Sequence, residues 1–416
     1  MSKTKFSQTV ICPNPWTAMY FHINSPSPCH IIRNGLMNMT MEEYINSEWL
    51  VDIKQKMING IRPKECENCE TKEGLGLKST RGASWRYWNI GEEPYLEDQP
   101  WFDDITVDTP TKPKRIELRF SNLCNMKCRM CDETSSSEIA KEKQKYNLAS
   151  NGIHNPDNIF FEDTDDSVLK ITDDNIQGLK NIELLSELRK VCFTGGEPFL
   201  IKGYYDYLDF LIEHKFNEQV ELELFTNTSV YNKLFVDRLM KFPKVEFTMS
   251  IDGVGKTAEY IRHGTKWDTI EKNVLTFNSM PKPILCSINV AISAYVLLDV
   301  SNLALFLMRL YRENNNILIK CYTILVQSLR FTSAPAHLKE RMLREIDLAV
   351  DILDCPNFAI FRNELLNLRP KVVKMLNVSR PLDEKNFIEF TQTYDKIRNE
   401  SFENTFGIPL ILDKEK

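Results

Sequence analysis

Short apolar runs alternate with amphipathic helical patterns along the middle of the chain. Apolar runs with the spacing of strands occur at residues 116–120, 190–193, 220–225, 244–251, 284–292 and 316–325. Helical periodicity lies between them, at residues 204–214, 232–241, 269–278 and 300–311. Six strands that alternate with helices are typical of parallel βαβ units with right-handed crossovers. The pattern therefore predicts an α/β fold built on a parallel sheet.

The segments on either side of this core lack the alternation of strands and helices, and the chain is therefore predicted to have four parts. A loop-rich N-terminal module, residues 1–90, contains one helical stretch at 41–59. A linker rich in Pro, Asp and Glu, residues 91–113, leads to the core at 114–330, in which residues 149–174 predict an acidic surface insertion. A C-terminal helical extension, residues 331–416, has helical patterns at 336–353 and 383–400 and is expected to pack on the outside of the core.

Composition and charge exclude several classes of partner. Of 416 residues, 42% are hydrophobic and 26% are charged, which is usual for a soluble globular protein. The net charge of -6 gives no basic field for nucleic acid or an anionic membrane. No run of about 18 apolar residues predicts a membrane span, and the first residues do not form a signal peptide. We therefore expect a cytoplasmic protein with neither a nucleic-acid nor a membrane partner.

Three of the eleven cysteines form a tight motif directly after the first predicted strand. Cys124, Cys128 and Cys131 are separated by three and two residues. In a reducing compartment, clustered cysteines indicate metal ligands or catalytic thiols rather than disulfides. Three thiolates can hold three irons of a 4Fe–4S cluster and leave the fourth iron open to another ligand. The alternative on spacing alone is a zinc site with a distant fourth ligand.

A second motif follows the next predicted strand. Gly195, Gly196 and Glu197 stand at its carboxyl end. Two glycines allow a ligand to approach the backbone, because no Cβ is in the way. A carboxylate beside them could accept hydrogen bonds from an ammonium group. A simple turn is the alternative for these three residues, but their place one βα unit after the cysteines favours a ligand site.

With these two motifs the chain resembles the radical S-adenosylmethionine (SAM) superfamily over about residues 114–330. The resemblance implies a partial (β/α)6 TIM-like barrel. It also implies a 4Fe–4S cluster whose open iron binds the amino and carboxylate groups of SAM. An electron from the reduced cluster would then cleave SAM to methionine and a 5′-deoxyadenosyl radical, which removes a hydrogen atom from a substrate.

The same resemblance implies further contacts to SAM at later strand ends. Asn227, Ser250 and Asp252 are expected at the ribose or methionyl part of SAM, and Arg262 at its carboxylate through the planar guanidinium fork. Met130 occupies the position before the third cysteine, which is usually aromatic in this family, and a thioether can still pack on adenine. Turn and cap roles are the alternatives for Asn227 and Ser250, and a solvated helix position is the alternative for Arg262.

Four more cysteines precede the core. Cys12, Cys29, Cys66 and Cys69 are accompanied by a segment, residues 39–70, that resembles the SPASM/twitch auxiliary-cluster signature. From the residues alone, four thiolates fit a closed iron–sulfur cluster and a structural zinc site equally well. The resemblance favours an auxiliary iron–sulfur cluster in a module that here precedes the barrel.

For function, the resemblance implies hydrogen abstraction from an organic substrate, giving oxidation, epimerisation or rearrangement. We expect a small molecule or a carbohydrate conjugate, with a peptide as the alternative, and a flavodoxin- or ferredoxin-type reductant. In an epimerisation, Cys321 in the sixth predicted strand is the candidate for the thiol that returns a hydrogen atom. Its other interpretation is a small buried hydrophobe. The rival from another class is a non-catalytic electron-transfer or zinc-binding protein.

Overall fold

An eight-stranded sheet forms the centre of the chain. The computed structural model describes residues 10–32, 39–74, 79–88, 105–146, 148, 167–313, 318–323, 327–378 and 380–412. The strands are β1 (Ala18–His22), β2 (Ser25–Ser27), β3 (Arg115–Arg119), β4 (Lys127–Cys128), β5 (Lys190–Phe193), β6 (Glu221–Thr226), β7 (Val245–Ser250), β8 (Arg262–His263), β9 (Ile284–Ile292) and β10 (Leu318–Thr323). Their order in the large sheet is β10-β9-β7-β6-β5-β3-β1-β2, and β4 pairs separately with β8.

The predicted α/β class and parallel sheet are confirmed. Strands β3, β5, β6, β7, β9 and β10 correspond to the six predicted runs, and they pair in parallel, as expected for a partial (β/α)6 barrel. The sheet is nevertheless larger than predicted. Strand β1 pairs in parallel with β3, and β2 returns antiparallel to β1 at the edge. Because β1 is short and its partner lies almost a hundred residues later, no local pattern predicted this pairing.

Helices cover the outer face of the sheet and build the C-terminal part of the chain. They are Asn14–Thr17, Met41–Ile45, Glu48–Ile58, Glu67–Gly74, Thr80–Trp88, Ser137–Tyr146, Asp173–Gly178, Lys202–Glu213, Lys233–Leu239, Gly255–Ile261, Trp267–Asn278, Ala294–Leu297, Val300–Glu313, Ala336–Ile352, Ala359–Leu376, Pro381–Arg398 and Phe402–Phe406. Within the described ranges, no helix is both long and apolar enough to span a bilayer.

Two helical features differ from the sequence predictions. The stretch predicted at 41–59 is two helices, because Ser47 accepts a hydrogen bond from the Leu50 amide and caps the second helix at its start. The helix Ala359–Leu376 was not predicted, since Pro370 inside it is a strong local signal against a helix. The predicted linker lies outside the described residues up to position 104. The predicted acidic insertion lies outside them from 149 to 166.

The two faces of the sheet differ in chemistry because side chains alternate along each strand. Apolar side chains such as Leu118 and Phe193 are fully buried beneath the helices. On the inner face, Glu223 forms ion pairs of 2.8 Å with both Lys190 and Lys320. Burial alone would raise the pKa of Glu223, but the two lysines outweigh it and lower the pKa to about 2. The interior of the barrel is therefore a charged, hydrogen-bonded layer.

Candidate active site

The loop after β3 carries the three clustered cysteines, and its backbone is fixed on two sides. The Ser137 hydroxyl accepts a hydrogen bond from the Cys124 amide at 3.3 Å, and the Ser136 hydroxyl donates to the Met126 carbonyl at 2.6 Å. On the other side, Cys128 lies in β4 and pairs with Arg262 of β8. A loop held between a helix start and the β4–β8 strand pair presents its thiols in a defined arrangement.

Two N–H donors point at the sulfurs of this loop. Arg262 Nη1 lies 3.5 Å from Cys128 Sγ, and Asn227 Nδ2 lies 3.6 Å from Cys124 Sγ. The thiols of Cys128 and Cys131 share a hydrogen bond, which, together with Arg262, lowers the pKa of Cys128 despite its burial. Burial raises the pKa of Cys124 to about 12. Donors of this kind stabilise thiolates, the form that binds metal.

The paired glycines have a different partner from the one predicted. A Cβ on Gly196 would lie 1.9 Å from the Leu123 carbonyl oxygen, and one on Gly195 would lie 2.7 Å from that of Ser121. Gly195 also has a φ of +110°, a conformation that favours glycine. The close approach is thus between the Gly-Gly turn and the cysteine loop. The room for a ligand expected at these glycines stays a prediction.

The carboxylate of Glu197 is hydrogen-bonded to other residues of the chain. Glu197 is fully buried, and its carboxylate accepts hydrogen bonds from the Asn227 amide at 2.7 Å, the Thr226 hydroxyl at 2.9 Å and the Phe199 amide at 3.2 Å. Burial raises its pKa from an ordinary value of 4.5 to about 7, although these donors act in the opposite direction. Glu197 thus joins the ends of β5 and β6, and its predicted role as an acceptor for an ammonium group stays a prediction.

Asp252 and Arg262 form one unit beside the cysteine loop. Asp252 Oδ2 accepts from Arg262 Nε at 2.8 Å and pairs with Nη2 at 2.6 Å. Its other oxygen, Oδ1, accepts from the Ala291 amide at 2.7 Å. Asp252 is therefore buried and positions Arg262, and the direct contact with SAM that the resemblance implied stays a prediction. Arg262 retains some exposure, with 13% of its side chain accessible.

The remaining predicted SAM contacts lie at the same end of the barrel. Ser250 ends β7 in register with Asn289 of β9, and its side chain is half-buried. Met130 is half-buried and packs against the main core. Asn227, besides its contact with Cys124, donates to Asn125 Oδ1 at 3.0 Å. Asn227 therefore lies against the cysteine loop, and the contacts of Ser250 and Met130 with SAM stay predictions.

Arg129 is a residue of this site that the sequence did not reveal. Its side chain is fully buried, and Nη2 lies 2.7 Å from both Asp395 and Glu400 of the C-terminal part. The guanidinium also lies 3.7 Å above the ring centroid of Tyr260. A charged residue between the predicted metal ligands Cys128 and Cys131 could have indicated a buried ion pair. Its partners could not be predicted, because they lie more than 260 residues away. The C-terminal helices therefore help to hold the cysteine loop.

The four N-terminal cysteines line one common cavity. Cys12, Cys29, Cys66 and Cys69 all border it, together with Arg81. Burial, followed by the neighbouring thiols and opposed in part by backbone hydrogen bonds, raises the pKa of Cys29 to about 12. Burial, then Cys69 and Glu65, raise the pKa of Cys66 to about 11. In the parts of the chain that are described, no three Cys, His, Asp or Glu side chains form a group that could hold a metal ion as they stand, neither these four cysteines nor the three-cysteine loop. The four thiols therefore line the same cavity but are not arranged around one metal position.

The other cysteines are dispersed. Cys192 and Cys286 are buried on β5 and β9, and burial raises the pKa of both thiols. Cys321 pairs in register with Val290 on β10, but its side chain lies outside the described part of the structure. Its neighbour Lys320 contacts Glu223 in the barrel interior. The role predicted for Cys321 stays a prediction.

A comparison with protein families matches the part of the chain that contains the three-cysteine motif. Residues 118–292, less than half of the chain, match the model of the radical SAM superfamily. This range contains the three-cysteine loop, the Gly-Gly-Glu turn and Arg262. No curated protein matches the sequence.

Several solved structures are similar to this chain. A histidine-tagged anSMEcpe with bound AdoMet is 15% identical, with a TM-score of 0.39, over 61% of this chain and 59% of that one. Streptococcus suis SuiB bound to the precursor peptide SuiA is 15% identical, with a TM-score of 0.37, over 72% of this chain and 64% of SuiB. TYW1 with a lysine-pyruvate adduct is 14% identical, with a TM-score of 0.30, over 58% and 74%. The chain spans less than two thirds of the length of anSMEcpe and SuiB.

Proposed function

We propose that the radical SAM domain at residues 118–292 is catalytic, with a 4Fe–4S cluster held by Cys124, Cys128 and Cys131. The observation that carries this proposal is the arrangement of the three thiols on one clamped loop, with Asn227 and Arg262 donating toward two of the sulfurs. Hydrogen bonds to the ligand sulfurs are a recognised means of tuning iron–sulfur clusters. A closed electron carrier would need a fourth protein ligand, whereas this motif supplies three.

The donor set suits a cluster with one open iron. When bound, the cluster supplies the electron that cleaves SAM to methionine and a 5′-deoxyadenosyl radical, which takes a hydrogen atom from the substrate. The residues of the chain hold the cluster and orient SAM. Arg262, fixed by Asp252, is proposed to bind the SAM carboxylate, while Ser250, Asn227 and Met130 border its ribose, methionyl and adenine parts.

Production of 5′-deoxyadenosine tests the proposal directly. Protein reconstituted anaerobically with iron and sulfide is given SAM and dithionite, and the nucleoside is measured by liquid chromatography. Replacing Cys124, Cys128 and Cys131 together by Ala should abolish the product. Cys286→Ala is the matched control, because this thiol is buried in the core away from the loop, and it should leave the product unchanged. Undiminished SAM cleavage in the triple variant would refute the assignment, and absent cleavage in the wild type would favour a non-catalytic protein.

We propose further that Cys12, Cys29, Cys66 and Cys69 hold an auxiliary iron–sulfur cluster. Support comes from the cavity that all four thiols line and from their mutual electrostatic effect on pKa. A reconstituted triple variant of the first site should then retain about four irons per chain, the content of one 4Fe–4S cluster. Zinc without iron in that variant would instead support a structural site.

The reaction proposed is oxidation or epimerisation of a small polar molecule, with electrons from a flavodoxin- or ferredoxin-type reductant. An auxiliary cluster favours oxidation, because it could accept the electron of a substrate radical. Solvent deuterium distinguishes the two outcomes. A product with deuterium at an inverted carbon indicates epimerisation, and Cys321→Ala should then stop turnover while SAM cleavage continues. A product with two hydrogens fewer and no deuterium indicates a dehydrogenase without a role for Cys321.

A further inference from the structure

A cavity of about 200 Å³ lies between the N-terminal strands and the barrel. One wall is formed by Tyr20, His22 and His30 of the N-terminal region, and the other by residues of β3 and the cysteine loop. This volume suits a small metabolite.

The cavity lies between the two cysteine sites. Asp132, which follows Cys131 directly, borders it, and so does Thr194, which precedes the Gly-Gly turn. Ile32 lines both this cavity and the one that the four N-terminal cysteines share. A molecule bound here would therefore have the three-cysteine loop on one side and the N-terminal cysteines on the other.

Arg119 is the arginine in the described lining of this cavity, which it shares with the carboxyl groups of Glu117 and Asp132. Its Nε is buried without a hydrogen-bond partner among the described residues. Its Nη1 makes only long contacts, at 3.3 Å to the Ser135 hydroxyl and 3.5 Å to the Thr134 carbonyl. Burial raises the pKa of the neighbouring Glu117, against the effect of the nearby Arg115 and Arg119. The planar guanidinium fork matches the geometry of a carboxylate.

Hydroxyl groups and a carboxyl group complete the lining. Ser135 and Thr194 offer hydroxyls, and Glu117 offers a carboxyl group, all of which can exchange hydrogen bonds with ligand hydroxyls. Asp132 already accepts from Thr134 Oγ1 at 2.7 Å, so one of its oxygens is engaged. Together these residues provide one anion-binding fork and several hydroxyl-binding groups.

We propose that this cavity binds the substrate, and that the substrate is a small polyhydroxylated carboxylic acid whose carboxylate pairs with Arg119. The inference rests on the proposed function only in calling the ligand a substrate. Binding itself requires neither SAM nor electrons, so it can be measured separately from catalysis.

Isothermal titration of the reconstituted protein with gluconate and glucuronate tests the proposal, with glucose as the neutral probe. We expect at least one acid to bind tenfold or more tightly than glucose, because charge-assisted bidentate bonds are stronger than neutral ones. Arg119→Gln should remove that difference, and Arg119→Lys should restore part of it. Arg238→Gln is the control, since this arginine pairs with Asp209 on the exposed surface and should change nothing.

A second measurement needs no variant, in case Arg119→Gln fails to fold. Phenylglyoxal labels accessible arginines, and peptide mass spectrometry reports each position. Gluconate should protect Arg119 and leave the labelling of Arg238 unchanged. Equal binding of acids and glucose, or no protection of Arg119, would overturn the proposal even if 5′-deoxyadenosine is formed. If the wild-type protein binds the acids selectively but forms no 5′-deoxyadenosine, the proposed function is overturned and the proposed binding site stands.

Discussion

Arg129 provides the most quantitative prediction, because it joins the cysteine loop to the C-terminal helices. Its side chain is 0% exposed, while its partners Asp395 and Glu400 retain 16% and 17% exposure. The substitution Arg129→Met keeps an unbranched apolar side chain but removes the charge. It leaves the two carboxylates facing each other without the guanidinium, with His263 Nδ1 still 2.6 Å from Glu400, and it also removes the contact with the Tyr260 ring.

The expected cost follows from the burial of these groups. Removing one partner of a buried ion pair costs about 3–5 kcal/mol, because a charge is left uncompensated. The carboxylates are partly accessible and can be hydrated, and Nη1 of Arg129 has no hydrogen-bond partner in the described structure. Both facts reduce the loss, so we expect the free energy of unfolding to fall by about 3 kcal/mol, the lower end of that range.

Urea unfolding of the metal-free protein, followed by tryptophan fluorescence, measures this loss. Arg238→Met is the matched control, since its ion pair with Asp209 is exposed and such pairs contribute about 1 kcal/mol or less. Arg129→Met should also lower the iron content after reconstitution, because the loop between Cys128 and Cys131 loses its anchor. Equal stability losses in the two variants, or unchanged iron content with Arg129→Met, would refute the reasoning.

Three further predictions concern the same end of the barrel. Gly196→Ala should prevent cluster assembly, measured as iron per chain, because its Cβ would meet the Leu123 carbonyl at 1.9 Å, whereas Gly74→Ala, with nothing within 4 Å, should be harmless. Folded Glu197 keeps a proton that the unfolded chain releases between pH 4.5 and about 7. Stability should therefore fall by about 3 kcal/mol as the pH rises through that window, at 1.36 kcal/mol per pKa unit, and Glu197→Gln should remove this slope in urea titrations at several pH values. Asn227→Ala removes the N–H donor near Cys124 Sγ and should lower the reduction potential of the cluster, which an EPR redox titration would detect; an unchanged potential would contradict that role.

Local pattern was sufficient for the core of the fold. Alternation and apolar runs predicted five strands to within one residue at each end. These are β3, β5, β6, β7 and β9, and each of them is buried in a parallel sheet. The spacing of Cys124, Cys128 and Cys131 likewise depends only on neighbouring residues. The helix Ala359–Leu376 was missed because tertiary packing of Phe361 and Leu365 outweighs the local effect of Pro370.

The sequence determined which residues carry chemistry, and the tertiary structure decided what each of them contacts. Glu197 and Asp252 were identified as site residues, yet burial and three or more protein hydrogen bonds make each a positioning group. Pairing of β1 with β3, and of Arg129 with Glu400, joins segments far apart along the chain. Such contacts leave no periodic signal, because their energy comes from desolvation and charge pairing that exist only once the chain has folded.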